Sequence, residues 1–313
     1  MIMSNVIRLI SASKRELENM SAMELKESIF KSESRVIMGQ HLLFAGEGLV
    51  RGVTNTELMC AWGADMIILN TIDLDHPENN PGLCGLTVKE LKQRCARPVG
   101  IYLGCPKEGY EDGGKKALYR REGMLATKEH ILKCEEIGAD FIILGGNPGS
   151  GTSLEDVIAC TKLAKELLGD RMIVMAGKWE DGINEKVLGD PTADYDAKEI
   201  IRRLIDAGAD CIDFPCPGSR GGITVQDIRE LVQYVHSYKP GTLAMCFLDS
   251  SVECADESTI REVAILMKQT GADIHAIGDG GFGGCTWPKN IYQLSVSIKG
   301  EHYTWFRMAS TNR

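Results

Sequence analysis

The sequence lacks most of the features that mark secreted, membrane-spanning or nucleic-acid-binding proteins. Its eleven cysteines are scattered without a CxxC pair or zinc-finger spacing, so we expect reduced, mostly buried thiols. It contains neither an apolar run of membrane-spanning length nor a signal-peptide core near residue 1. With a net charge of −9, it has no excess of basic residues for a nucleic-acid surface. We therefore expect a soluble cytoplasmic protein without a nucleic-acid or membrane partner.

One phrase, glycine-alanine-aspartate followed by a short apolar run, occurs four times, starting at Gly63, Gly138, Gly208 and Gly271. The spacing is roughly twice the length of one strand-plus-helix unit, so a further unit is expected in each gap. Unbroken apolar runs do lie in the gaps and ahead of the first copy, at 35–45, 97–103, 171–176 and 242–247. Such runs are typical of parallel strands that are buried on both faces.

Helical patterns lie between these runs, for example at 128–137, 154–168, 197–207, 224–237 and 258–270. Eight strands alternating with eight helices predict an α/β protein, a single (β/α)8 TIM barrel covering residues 35–313. Residues 1–34 are predicted to form a short N-terminal helical extension. The glycine that begins each copy of the phrase should end a helix. The aspartate that follows would then lie at the N-terminal end of the barrel strands, which we call the bottom. Chemistry is then expected at the C-terminal strand ends, the mouth.

Three residues near predicted strand ends are our catalytic candidates. Asn70 ends the second strand and is placed to contact a ligand. Lys178 follows the fifth strand and could form a Schiff base, act as a base or stabilise an oxyanion, whereas a surface lysine is the alternative. His275 lies in the eighth strand as a proton-transfer candidate, if it points into the barrel; a hydrogen-bonded core histidine is equally compatible with the sequence.

Glycine-rich loops follow the fourth, sixth and eighth strands, and glycine lets backbone N–H groups approach an anion closely. Ser153 should cap the helix after the first of these loops, and Arg220 could clamp a phosphate or carboxylate. The residues predicted to bind substrate or phosphate are Asn147, Gly149, Gly151, Gly218, Ser219, Arg220, Asp279, Gly280 and Gly281. A long loop, 104–125, carries five basic residues and could be an anion-binding lid, or simply a solvated loop.

Carboxylates after the predicted strands leave a metal-assisted reaction open. Glu47, Asp73 and Asp213 are the candidate ligands, and Mg²⁺ or Mn²⁺ would be the cofactor because both ions prefer oxygen ligands. Solvated loop carboxylates are the alternative for Glu47 and Asp73. The sequence gives no certain cofactor.

Over nearly its whole length the chain resembles a bacterial family of uncharacterised TIM-barrel proteins, labelled haloacid-dehalogenase-like hydrolases or phosphonomutase-like proteins. The matching stretches include GADFIILGGNPGSGTS, MIVMAGK, PGSRGGIT, GADIHAIGD and HYTWFRMA. The resemblance implies the barrel fold and brings no established catalytic residues. Our leading hypothesis is a lyase or isomerase acting on a small anionic metabolite, phosphorylated ones included, in a homo-oligomer. The alternative is a barrel that binds a metabolite, or regulates through it, without transforming it.

Overall fold

The computed structural model describes residues 5–106, 122–180, 182, 184–280 and 283–310. Eight parallel strands form a closed barrel in which each strand pairs with the next along the chain and β8 pairs with β1. This confirms the predicted (β/α)8 TIM barrel. The strands are β1 (Val36–Leu42), β2 (Met66–Asn70), β3 (Val99–Gly104), β4 (Phe141–Gly145), β5 (Ile173–Gly177), β6 (Cys211–Pro215), β7 (Leu243–Leu248) and β8 (Ile274–Ile277).

Two short helices precede the barrel, and one helix follows each strand. They are α1 (Lys14–Glu18), α2 (Ala22–Phe30), α3 (Asn55–Ala61), α4 (Val88–Cys95), α5 (Lys128–Glu136), α6 (Leu154–Leu168), α7 (Ala197–Asp206), α8 (Val225–Tyr238), α9 (Glu257–Thr270) and α10 (Pro288–Ala309). The last is two helical segments joined across a kink at Gly300. Among the described helices, none is long and apolar enough to cross a membrane.

Alternating side chains on the strands divide the core into two layers. One layer, which includes Ile142, Val174 and Ile212, packs between the strands and the outer helices. The other fills the barrel interior and includes Phe141, Met175, Trp179 and Phe247. The strands are therefore buried on both faces, which explains their unbroken apolar sequences.

The N-terminal extension closes the bottom of the barrel. Leu9, Ile10, Leu25 and Ile29 are buried and belong to the same cluster as the inward-facing strand residues. A capping box begins α2, because Ser21 Oγ accepts from the Glu24 N–H and the Glu24 carboxylate accepts from the Ser21 N–H. The apolar faces of the extension are thus buried in the interior layer.

The repeated glycine-alanine-aspartate phrase forms the same local structure four times at the bottom of the barrel. Its glycines adopt positive φ values of 104°, 91°, 108° and 82°, a conformation that favours glycine at helix ends. Each following aspartate accepts a hydrogen bond of 2.9–3.1 Å from a backbone N–H of the preceding strand. Each also contacts a cationic or histidine side chain. The aspartate–N–H pairs are Asp65–Ile37, Asp140–Val99, Asp210–Val174 and Asp273–Ala244. The predicted structural role of these aspartates is confirmed.

Candidate active site

A cavity of about 340 Å³ lies at the mouth of the barrel, between the loops that follow β4 to β8. Active sites of this fold form at the C-terminal ends of the strands, so this cavity is the candidate site. Its lining residues are Asn147, Pro148, Glu180, Arg220, Asp249, Ser250, Ser251, Glu253, Cys254, Asp279 and Gly280.

A larger cavity, of about 530 Å³, lies at the opposite end between α1, α2 and the bottom of the barrel. Two of its cationic side chains form ion pairs, one with a carboxylate of the lining and one with a carboxylate outside it. Lys92 lies 2.6 Å from Asp140, and Arg171 lies 2.6 Å from Glu135. Because these ion pairs tie structural elements together at the stability face of the fold, we place the chemistry at the smaller cavity of the mouth.

Carboxyl groups dominate the mouth cavity. Glu180 follows β5, Asp249 ends the run of β7, Glu253 lies in the short turn beyond it, and Asp279 follows β8. Arg220, in the loop after β6, is the one cationic side chain among the described lining residues, and its Nη2 lies 3.5 Å from Asp249 Oδ2. The described part of the cavity therefore has four carboxyl groups facing one guanidinium.

Burial and mutual repulsion change the proton affinity of these groups. Burial raises the pKa of Asp249 to about 7, against the opposing effects of Arg220 and a hydrogen bond from Ser250. Burial, together with the charges of Asp249 and Asp279, raises the pKa of Glu180 well above its usual range. Burial also raises the pKa of Glu253. Carboxyl groups of this kind can hold or release a proton near neutral pH.

Amide side chains surround the carboxyl cluster. Gln40 Nε2 donates to Asp279 Oδ2 at 2.7 Å, and Asn70 Nδ2 donates to Asn147 Oδ1 at 3.0 Å. Two buried acceptor atoms, Gln40 Oε1 and Glu253 Oε2, have no hydrogen-bond partner within the described parts of the chain, and neither does the donor Arg220 Nε. Asn147 lines the cavity, whereas Asn70 contacts Asn147 from behind the lining, so the predicted role of Asn70 stays a prediction.

Lys178 does not line the mouth cavity, and its predicted Schiff-base role stays a prediction. Because Met175 and Trp179 face the interior, Lys178 lies on the other side of the chain. Its ammonium is buried, donates to the Thr152 carbonyl oxygen at 2.7 Å and lies 3.8 Å from Glu185 Oε2. Lys178 therefore connects the loops that follow β4 and β5 and is absent from the lining of the cavity.

His275 also faces away from the interior, which corrects its prediction as a catalytic residue. Ile274 and Ala276 belong to the interior cluster, so the alternation of the strand turns His275 outward. Its Nε2 lies 3.2 Å from Ser34 Oγ and 3.1 Å from the Ser34 carbonyl oxygen. Burial lowers the pKa of His275 to about 4. The alternative named from the sequence, a hydrogen-bonded core histidine, describes it better.

The chain's own carboxylates occupy the helix N-termini that were predicted to attract an anion. Ser153 caps α6 as predicted, in a capping box with Asp156, and the Leu154 N–H donates to Glu185 Oε2 at 2.7 Å. Thr224 and Asp227 form an equivalent box at the start of α8. Both N-termini therefore already have anionic partners from the protein.

The residues predicted in the glycine-rich loops fall into three groups. Asn147, Arg220, Asp279 and Gly280 line the cavity. The others that the structure describes shape the loops: Gly149, Gly151 and Gly218 adopt positive φ, and Ser219 Oγ donates to the Cys216 carbonyl oxygen. Gly281 and the basic residues predicted in a lid, Lys107, Lys115, Lys116, Arg120 and Arg121, lie outside the described residues.

The three predicted metal ligands are not brought together. Glu47 is exposed, Asp73 accepts from Asn79 Nδ2 and two backbone N–H groups, and Asp213 is enclosed in the barrel. Burial raises the pKa of Asp213 well above its usual range. Among the described residues there is no group of three or more metal-ligating side chains with suitable geometry.

Three carboxyl groups of the lining, Glu180, Asp249 and Glu253, were not selected from the sequence, and neither was Gln40, which donates to Asp279. Asp249 follows a predicted strand directly, so the rule that singled out Asn70 could also have found it. The positions of Glu253 and Glu180 depend on the paths of the loops. Hydrophobic periodicity predicts strands and helices but not those paths. Gln40 lies next to His41 inside an otherwise apolar run, and this pair of polar side chains was the available signal.

Comparison with known proteins supports the fold and supplies a family. No functionally curated protein matches the sequence significantly. A Schiff base-forming fructose-1,6-bisphosphate aldolase is 11% identical with a TM-score of 0.53, covering 88% of this chain and 99% of that one. An archaeal fructose-1,6-bisphosphate aldolase has the same identity and TM-score, covering 90% and 100%.

A carboxyl transferase domain of Rhizobium etli pyruvate carboxylase is 12% identical with a TM-score of 0.51, covering 98% of this chain and 55% of that one. At these identities the likeness extends to the fold alone. The resemblance to haloacid-dehalogenase-like hydrolases gains no support from these matches. The model of a family described as a domain of unknown function, DUF7916, matches residues 10–313, and the chain therefore belongs to that family.

Proposed function

We propose that the protein is an enzyme of the lyase or isomerase type that transfers protons to and from a small metabolite held in the mouth cavity. The observation that carries the proposal is the pair of buried carboxyl groups, Glu180 and Asp249, in one cavity at the C-terminal face of the barrel. The aldolase and carboxyl transferase barrels share only the fold with this chain, so the reaction class rests on this pair.

The two carboxyl groups suit different halves of a proton transfer. Asp249, with a pKa of about 7, is ionised in a large fraction of molecules at neutral pH and serves as the base. Glu180, whose pKa is raised well above its usual range by burial and by the charges of Asp249 and Asp279, serves as the acid. Arg220, 3.5 Å from Asp249, stabilises negative charge that develops on the substrate or on the base.

The test uses metabolite mixtures, because the substrate is not identified. Wild-type protein and the variants Glu180→Gln, Asp249→Asn and Glu78→Gln are incubated with a bacterial metabolite extract, and the products are compared by mass spectrometry. Glu78 is a suitable control because its side chain is 73% exposed and lies outside the cavity lining. We expect a metabolite that the wild type and Glu78→Gln convert, with turnover lowered by about 100-fold or more in the other two variants.

The pH dependence of turnover gives a second readout. Because the base must be ionised and the acid protonated, kcat/KM should rise as the pH increases toward about 7 and fall again at higher pH. Unchanged turnover in Glu180→Gln and Asp249→Asn would contradict the proposal. A metabolite that is retained by the protein and recovered unchanged would instead identify a non-catalytic binding barrel.

A further inference from the structure

The larger cavity, between the helical extension and the bottom of the barrel, carries more positive than negative charge; we call it the bottom cavity. Its lining has five cationic side chains, Lys14, Lys89, Lys92, Arg97 and Arg171, and two carboxylates, Glu18 and Asp140, an excess of three positive charges. Counting Glu135, which lies outside the lining and pairs with Arg171, the excess is still two. A concave site with such an excess attracts anions.

Arg97 is a buried cation of this lining that forms no ion pair with a described residue. It is 2% exposed, and within the described chain its guanidinium donates only to backbone carbonyl oxygens, including those of Ala64, at 3.0 Å, and Arg307. Arg307 and Lys299 in turn share the carboxylate of Asp65. Burial, with the charge of Arg97, lowers the pKa of Arg307 to about 9. The buried charge beside the cavity is therefore positive in excess, which strengthens the attraction for an anion.

Lys89 and Lys92, one turn apart on α4, lie together in the lining. A Cβ added at Gly138 would lie 2.9 Å from Lys89 Cγ, and the Gly138 carbonyl oxygen accepts from Lys92 Nζ at 3.3 Å, so both side chains pass the same glycine. Lys92 also pairs with Asp140 at 2.6 Å, whereas Lys89 forms no ion pair with any described residue. Lys89 is therefore available to an anion beside Lys92.

The helical extension adds an aliphatic wall to the bottom cavity. Leu17, Met20 and Leu25 belong to the lining, and none of the described lining residues is aromatic. Aliphatic surface favours an alkyl group, because contact removes apolar area from water, whereas aromatic rings are the usual stacking platform for a nucleobase. The lining therefore favours an anion that carries an aliphatic group over a nucleotide.

From these features we infer that the bottom cavity is a second ligand site, which binds a phosphate monoester with an aliphatic group. The phosphate lies beside Lys89 and Lys92, and the aliphatic group packs against Leu17 and Met20. A phosphate monoester carries a charge of about −1.5 to −2 at pH 7, which matches the cationic excess better than a single carboxylate does. The volume of about 530 Å³ is in the range of small-molecule sites. The site is independent of the chemistry proposed at the mouth.

Compounds that share an alkyl chain and differ in their head group test the inference. Calorimetry measures the binding of hexyl phosphate, hexanol and hexyltrimethylammonium to the full-length protein, with inorganic phosphate as the head group alone. We expect hexyl phosphate to bind about tenfold or more tightly than each of the other three. Binding no tighter than that of hexanol would refute the anionic head group, binding no tighter than that of phosphate would refute the aliphatic part, and absence of binding would refute the site.

Matched variants decide which end of the barrel holds the anion. Lys89→Gln removes a charge from the bottom cavity, whereas Arg220→Gln removes one from the mouth cavity. We expect Lys89→Gln to weaken hexyl phosphate binding about fivefold or more, and Arg220→Gln and the exposed control Lys162→Gln to leave it unchanged. Unchanged affinity in Lys89→Gln, or a loss confined to Arg220→Gln, would overturn the inference.

Two further readouts locate the ligand within the cavity. Met20→Gln keeps the length of the side chain, so it should weaken hexyl phosphate binding and leave inorganic phosphate unaffected. Bound hexyl phosphate should also slow the acetylation of Lys89 by limiting acetic anhydride relative to Lys162, as measured by peptide mass spectrometry. Equal labelling rates with and without the ligand would contradict the site. None of these measurements uses turnover, so the inference and the proposed function can fail separately.

Discussion

Buried carboxylates have different numbers of hydrogen-bond and cationic partners at the two ends of the barrel. At the bottom, Asp65 accepts from the Ile37 N–H and lies 2.5 Å from Lys299 Nζ and 3.0 Å from Arg307 Nε. Among the described lining residues of the mouth cavity, four carboxyl groups face one guanidinium, which lies 3.5 Å from Asp249. At the bottom, Asp65 therefore has both hydrogen-bond and cationic partners. At the mouth, the described carboxyl groups outnumber the cationic side chains.

This difference separates stability from function within one fold. A buried carboxylate with several partners holds elements together, and its removal leaves uncompensated cations. A buried carboxyl group with too few partners costs stability, and its altered proton affinity is useful for catalysis. The same residue type should therefore respond to mutation with opposite signs at the two ends.

The largest effect is expected at Asp65. Asp65→Asn removes the one carboxylate that lies between the buried side chains of Lys299 and Arg307, and Arg97 is buried close by. Breaking such a cluster should lower the free energy of unfolding by about 3–5 kcal/mol. Urea denaturation followed by circular dichroism measures this change. Asp170→Asn is the control, since that side chain is 77% exposed, and an equal loss in both variants would refute the assignment.

At Asp249 the prediction has the opposite sign and depends on pH. Because burial raises its pKa from 3.8 to about 7, the folded state holds the proton more tightly than the unfolded state. The stability this contributes is present below about pH 4 and is lost as the pH rises through about 7, by an amount on the order of 4 kcal/mol. Asp249→Asn removes this dependence.

The measurement for Asp249 is the melting temperature of the variant relative to wild type at pH 5 and pH 8. The difference should be more favourable to the variant at pH 8. The attraction of Arg220 acts on ionised Asp249 and is already included in the pKa of about 7, so it does not change the sign of this difference. A difference that is independent of pH would show that Asp249 titrates normally, and would also weaken its proposed role as the base.

The sequence predicted the barrel and its bottom better than its mouth, for physical reasons. The bottom is encoded locally: a glycine ends each helix, and the aspartate two residues later reaches the neighbouring strand, so one phrase predicts four contacts. Mouth residues converge from loops far apart in sequence. Glu180 and Glu253 meet only after the barrel has closed, and periodicity holds no information about that meeting.

Strand orientation was the second obstacle at the mouth. In a barrel strand both faces are buried, so the apolar pattern around His275 does not distinguish the interior from the helix-facing layer. For Lys178 a signal existed, because the bulky Trp179 beside it fills the interior and alternation then turns the lysine outward. Small residues such as Gly177 left the register open.

The smallest effect is expected at His275, which tests whether this outward face is structural. His275→Gln replaces the ring contacts with Ser34 and should cost about 1 kcal/mol at pH 7, with turnover per folded molecule unchanged. Burial lowers the pKa of His275 from 6.5 to about 4, so the wild type loses stability from this group as the pH falls from 6.5 toward 4. The variant lacks that loss, and its deficit relative to wild type should shrink as the pH falls, which thermal melts at pH 7 and pH 5 would measure. A large loss of turnover without a change in stability would instead support a catalytic role for His275.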